Sequence, residues 1–221
     1  RAAGRRVFFD AEHFFDGFKA NRDCAVNVLK TADAAGADSL CLCDTNGGCT
    51  PDEILRITRE IVGLFPGRQI GIHCHNDMGC AVANSMLAVD VGASQVQGTF
   101  IGIGERCGNA DLSVIVPNLQ LKQGYECINS DLSKLSEAVY AISEICNMPV
   151  PLNKPYVGLS AFAHKGGMHI DGVSKCARSF EHVEPESVGN KRRFLMSEVS
   201  GRTTVLAKLG RVAPELSKDS P

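Results

Sequence analysis

Residues 69–77 read Gln69-Ile70-Gly71-Ile72-His73-Cys74-His75-Asn76-Asp77, a short aliphatic run that gives way to two histidines one residue apart. The run predicts a strand over Gln69–Ile72. Alternate residues of a strand share a face, so both imidazoles project to one side at the strand's end. Two nitrogen donors side by side suit a divalent metal, although the pair also reads as two polar histidines of core or surface. Its place at the C-terminal end of a strand, with Asn76 and Asp77 next, favours the metal.

The same pattern extends in both directions. Val7–Phe9 predicts a strand followed by Asp10, Glu12 and His13, and a helix then runs from about Arg22 to Ala35, closed by Gly36. Ser39–Cys43 predicts the next strand, ending in Asp44-Thr45-Asn46-Gly47-Gly48. Thr50-Pro51-Asp52-Glu53 joins an N-cap residue, a first-turn proline and an acid three residues on, which predicts a helix to about Leu64. After residue 77, a helix over Asn84–Val91 stops at Gly92, and a strand over Gln95–Phe100 leads into Gly102-Ile103-Gly104-Glu105-Arg106-Cys107-Gly108-Asn109.

All four strands end in polar, potentially reactive residues. A (β/α)8 barrel assembles its active site at the C-terminal ends of several strands at once, so the fold class expected is α/β, with residues 1–124 as the C-terminal half of a TIM barrel. Beyond Gly124 the rhythm changes. Asp131–Cys146 predicts one long amphipathic helix, and Met148–Pro155 a proline-rich linker. From Tyr156 onward come Gly166-Gly167, two histidines, a basic patch at Lys191–Arg193 and a helix around Thr203–Leu209. Residues 125–221 are therefore expected to form a helical linker and subdomain. The chain starts at Arg1 without a methionine, in the lead-in to a strand, which predicts a piece of a longer protein.

With 221 residues, 44% apolar and 22% charged, the composition is that of an ordinary globular protein rather than a disordered one. The net charge of −2 comes from 23 basic and 25 acidic residues spread along the chain, which leaves no basic stripe for nucleic acid. No apolar run approaches the roughly 20 residues that span a bilayer, and the opening residues are no signal sequence, so no membrane partner and a cytoplasmic location are expected. The ten cysteines stand singly or as Cys41-x-Cys43, never as C-x-x-C, which predicts buried, reduced thiols rather than disulfides or a zinc site. Gly102-x-Gly104-x-x-x-Gly108 places its third glycine one residue late for a dinucleotide fingerprint, which excludes that reading.

His73-x-His75-Asn76-Asp77 followed by Gly104-Glu105-Arg106-Cys107-Gly108-Asn109-Ala110 resembles the two signatures of the isopropylmalate, homocitrate and citramalate synthase family. The stretches Asp10–Gly17 and Leu42–Gly48 look more like its citramalate branch than its leucine-pathway branch. The resemblance covers nearly the whole chain. It implies an acyltransferase that joins acetyl-CoA to a small 2-oxo acid, converting the acyl group into an alkyl one on transfer. Pyruvate is the implied acceptor, with 2-oxoisovalerate as the alternative. Related metal-dependent lyases share the barrel and the histidine pair, but the Gly-Glu-Arg-Cys-Gly-Asn run belongs to the synthases.

By the same resemblance His73, His75 and Asn109 match metal-binding positions for Mn, Mg, Co or Zn. The remaining aspartate ligand and a substrate-polarising arginine belong to a strand outside this chain. His169, in Gly166-Gly167-Met168-His169-Ile170-Asp171-Gly172, matches the family's catalytic histidine, which a neighbouring subunit contributes, so a homodimer with swapped subdomains is implied. Taken alone it reads as a structural histidine beside a glycine turn. Glu12 matches an acidic catalytic position, and Thr45 and Glu105 substrate-binding ones; Glu12 and Thr45 could otherwise be strand-end caps. His164 reads as structural. Phe180 stands where related synthases usually carry tyrosine.

Overall fold

The computed structural model describes residues 3–128, 131–195 and 209. It divides into one unit over Arg1–Leu119 and a second over Gln120–Pro221.

In the first unit, strands β1 (Phe8–Ala11), β2 (Ser39–Asp44), β3 (Gln69–Cys74) and β4 (Gln95–Gln97) form a wholly parallel sheet in the order β1-β2-β3-β4. Between them run helices α1 (Phe14–Ala20), α2 (Arg22–Ala34), α3 (Pro51–Leu64) and α4 (Ala81–Asp90), and α5 (Leu112–Lys122) follows. Neighbouring strands that are consecutive and parallel need a crossover each time, and the helices supply it.

The two faces of the sheet differ as a strand's period of two requires. Leu40, Leu42, Ile70, Ile72 and Cys74 are buried in one core with Leu29 of α2 and Ile54, Ile57 and Ile61 of α3. The alternate residues form the other face, where the register sets Cys41 beside Gly71, and Cys43, His73 and Gln97 side by side. Helix α3 starts where its capping signal lies. The Thr50 N–H donates to the Glu53 carboxylate at 2.9 Å, and the Glu53 N–H donates to the Thr50 hydroxyl at 3.4 Å.

Several elements differ from expectation. Helix α1 was not anticipated; it buries Phe14, Phe15 and Phe18, but its N-cap is His13 in the left-handed region with no side-chain cap, so no start signal marks it. Strand β3 continues to Cys74, whose buried side chain belongs to the helix-side core, whereas β4 stops at Gln97, before Gly98 and a 3-10 turn over Phe100–Gly102. The long helix expected over Asp131–Cys146 opens with a 3-10 turn, Leu132–Lys134, before α6 (Leu135–Cys146).

In the second unit β5 (Ala163–His164) pairs in parallel with β6 (Arg193–Phe194), and α7 (Gly167–Lys175) follows β5. Buried Glu181 is its polar centre. It accepts bonds from both Nε and Nη2 of Arg192, the former at 2.8 Å, and lies 2.9 Å from His164 Nε2, which gives His164 the structural place expected of it. Much of the basic patch at 191–193 is thereby consumed, since Arg193 in turn donates to Asn190 and to the Lys191 carbonyl. The helix expected around Thr203–Leu209 lies, but for Leu209, outside the described residues. Helix α5 runs across the division at residues 119 and 120, and so ends just before the boundary expected near residue 124.

All ten cysteines are free, but only Cys41, Cys43, Cys49 and Cys74 are buried; Cys80 is half-buried and the other five are exposed. Among the described residues no helix is long and apolar enough to cross a membrane.

Burial pushes the Glu181 carboxyl up, but the hydrogen bonds from Arg192 and His164 outweigh it and hold it below the usual glutamate range. A group depressed in the folded state stabilises fully above its unfolded pKa, about 4.3, and loses that contribution as pH falls toward the folded value. Glu181→Gln should cost roughly 1.5–3 kcal/mol at neutral pH and flatten the acid limb of stability below about pH 4.3, as read by urea unfolding at stepped pH. An unchanged acid limb would show that the carboxylate is not what the acid titrates.

Candidate active site

His73 is the penultimate residue of β3, and His75 lies one residue past the strand, where it forms an isolated bridge with Asn109. The two imidazoles stand edge to face with centroids 5.2 Å apart. Nδ1 of His73, Nδ1 of His75 and Oδ1 of Asn109 are all buried without a hydrogen-bond partner. Each such atom costs about 1–3 kcal/mol unless something satisfies it, so all three are open to a partner from outside the chain.

The loop after β4 delivers Asn109. Asn109 Nδ2 donates to the Ile103 carbonyl at 2.9 Å and its backbone N–H to Gly102 at 3.1 Å, while the Ala110 N–H donates to Cys74 at 2.9 Å and stitches the loop to β3. Gly104 lies flat against the Asn109 amide, so close that a Cβ at residue 104 would collide with Nδ2. That contact is a physical reason for the glycine in Gly-Glu-Arg-Cys-Gly-Asn.

Arg106 was passed over as a site residue in the sequence, yet it ties three strand ends together. From a left-handed backbone at φ 55, it donates from Nε and Nη2 to Asp77 at 2.8 and 3.0 Å, and from Nη2 to the Thr45 carbonyl at 2.7 Å. The hydrogen bond and charge of Arg106 hold the Asp77 carboxyl below the usual range. Thr45 in turn donates its hydroxyl to Glu12 at 2.8 Å and accepts the His13 N–H at 2.7 Å. The expected pair Glu12 and Thr45 is thus one hydrogen-bonded unit, and Glu105 sits exposed in the Arg106 loop, its carbonyl accepting the Gly108 N–H at 2.8 Å.

Asp10 and Gln97 were also missed. Gln97 Nε2 donates to Asp10 Oδ1 at 2.8 Å, spanning from β1 to β4 although the two strands are not neighbours, so the sheet curves and this face is concave. Burial, then the second imidazole, lowers the His73 pKa, against the opposing pull of Asp10, Glu12 and a Gln97 hydrogen bond. A lowered histidine pKa favours the neutral ring, the form that ligates metals. Beneath the loop of Thr45, burial pushes the Asp44 carboxyl up, and burial with Asp44 pushes the Cys49 thiol up to about 12, which makes that thiol inert.

Six of the seven expected site residues therefore lie at the C-terminal ends of the parallel strands or in the loops that follow them. Among the described residues no three histidine, cysteine, aspartate or glutamate side chains converge to hold a metal. Two imidazoles and an amide oxygen are donors that a divalent ion accepts, short of a complete protein shell. The seventh residue, His169, belongs to the second unit, where its exposed ring stacks on Phe180 with centroids 4.3 Å apart.

Residues 1–142 match the HMGL-like family model, and residues 156–220 match the Homocitrate synthase post-HMGL domain-like model. The chain is 52% identical over 216 residues to the (R)-citramalate synthase of Aquifex aeolicus, covering 97% of this chain and 41% of that protein. It is 49% identical over 229 residues to that of Synechocystis, covering 100% of this chain and 42% of the relative. To the 2-isopropylmalate synthase of Pseudoalteromonas atlantica it is 39% identical over 207 residues, covering 90% of this chain and 40% of the relative. The chain thus spans about two fifths of the length of these relatives. Among solved structures, an HMG-CoA lyase from Bacillus subtilis superposes with TM-score 0.52 at 27% identity, covering 58% of this chain and 45% of the lyase. That likeness identifies the four βα units as part of a TIM barrel.

Arg106→Gln should free the loop without unfolding the unit. Amide exchange at Gly108 and Asn109 should rise about tenfold or more, the loss of a charge-assisted bond worth roughly 1.5–3 kcal/mol, when followed by hydrogen–deuterium exchange. Unchanged protection there would mean that the backbone bonds alone hold Asn109.

Proposed function

The chain belongs to the HMGL-like family, and from that premise we propose that the protein carrying it condenses acetyl-CoA with pyruvate and water to give (R)-citramalate and free CoA. The observation that carries this reading is the gathering of His73, His75 and Asn109, each with an unpaired buried atom, where parallel strands end. Pyruvate is favoured over 2-oxoisovalerate because the Aquifex and Synechocystis citramalate synthases are more similar to the chain than the Pseudoalteromonas isopropylmalate synthase is.

In this reading the methyl carbon of acetyl-CoA bonds to the keto carbon of the acceptor, and water then cleaves the thioester, so that an acyl group becomes an alkyl one. His73, His75 and Asn109 would hold a divalent metal, which when bound supplies Lewis acidity to a keto oxygen. His169 takes the methyl proton, a step that needs a base within reach of that carbon. Among the described residues no hydrogen bond or ion pair to the His169 ring is found, and the residue is exposed. His169 comes to the site from a second copy of the chain, as the family resemblance implies, which makes a homodimer the working assembly.

Thr45 and Glu12 receive the 2-oxo acid. The single hydroxyl proton of Thr45 is committed to Glu12, so a carboxylate arriving at Thr45 competes with Glu12 for that donor. Glu12 is thereby released to handle a proton of the reaction, and Glu105 contributes from the loop. The place of this chemistry is the cytoplasm, where acetyl-CoA and pyruvate are both at hand.

Thiol release measured with acetyl-CoA and each 2-oxo acid tests the reading. Release with pyruvate and not 2-oxoisovalerate is expected; the reverse would make the protein an isopropylmalate synthase, and cleavage of hydroxymethylglutaryl-CoA alone a lyase. No release from folded, metal-loaded protein would leave a chain that only binds metal or dimerises. His73→Ala should abolish bound metal, read by elemental mass spectrometry. His169→Ala should keep the metal but slow deuterium exchange at the acetyl-CoA methyl by about 100-fold or more. Stoichiometric metal after loss of both His73 and His75 would sink the assignment.

A further inference from the structure

His169 lies in the first turn of α7, three residues before Gly172, so the two share a helix face. Its ring is exposed and, among the described residues, is held by no hydrogen bond. An imidazole in that state turns broadly about its outer torsion, which is a poor condition for a base that must meet a carbon-bound proton. Ring packing is the contact found for it among the described residues.

Phe180 supplies that packing. Its ring stacks on the imidazole with centroids 4.3 Å apart and planes 28° apart. Gly172 makes room for it, since a Cβ at residue 172 would meet Phe180 Cε2 at 2.5 Å and Cδ2 at 3.2 Å. The backbone beneath the ring is fixed as well. The N–H groups of Phe180 and Glu181 donate to the Ala177 carbonyl at 3.1 and 3.0 Å, and Glu181 is locked to Arg192 and His164.

The geometry points to Phe180 as the positioning residue for His169, an aromatic seat that fixes the plane of the imidazole and depends on Gly172 for its own fit. The proposal rests on the reading of His169 as the base. It also gives the phenylalanine a role without a hydroxyl at a position where tyrosine is usual in related synthases. In this role Phe180 acts through the His169 ring on which it stacks.

The test compares Phe180→Leu, Phe180→Tyr and Gly172→Ala in the protein, with circular dichroism confirming the fold of each. In Phe180→Leu, kcat should fall about 2- to 12-fold, the range such a stack is worth, with KM for acetyl-CoA unchanged. The His169 Cε1–H resonance should lose the ring-current shift imposed by Phe180. Phe180→Tyr should keep both kcat and the resonance, and Gly172→Ala, which displaces the seat without altering it, should reproduce the leucine variant. Full kcat in Phe180→Leu, or a His169 resonance that does not move, overturns the proposal. Loss of the shift with turnover insensitive to His169→Ala sinks the base assignment instead, because the resonance reads the stack without reference to catalysis.

Discussion

The alternation of β3 between its two faces is the constraint on which the first unit depends. Ile70, Ile72 and Cys74 are buried toward the helices, and that leaves Gly71 and His73 no choice but the concave face. A shift of one residue would send His73 into the aliphatic core and an isoleucine into the site. The register with β2 and β4 transmits the same choice sideways, so Cys43 and Gln97 flank His73 because Leu42 and Val96 are packed on the other side. The site is polar because the opposite face is apolar.

Much of this was legible in the residues. Pattern and punctuation located all four strands, and the start of α3 followed from Thr50, Pro51 and Glu53 because a capping box is a local device. The two histidines could be placed on one face from their spacing alone. What could not be read was assembled from distant parts of the chain. Arg106 meets Asp77 and Thr45 across the ends of separate strands, and Asp10 meets Gln97 across the concave face. Neither pair has any signature in spacing. Helix α1 was hidden for another reason: it starts on an uncapped left-handed histidine and is held by three buried phenylalanines rather than by any terminal signal.

The polar residues divide by how fully they are satisfied. Glu181, His164 and Arg192 close one another's bonds and define a rigid centre in the second unit. His73, His75 and Asn109 are left with atoms unpaired. Buried polar groups of the first kind specify a fold and those of the second kind await a partner.

The order of the sheet bears on how the first unit comes to be built. Each strand lies beside the one that precedes it in the chain, with Phe8 against Ser39, Ser39 against Gln69 and Gly71 against Gln95. No strand has to wait for a later one to be inserted between itself and its predecessor. Every loop that must close runs only as far as the next strand, so the entropy of closure is met in small instalments. During synthesis the wall that bears His73 can grow strand by strand, with the hydrophobic helix side sealed at each addition.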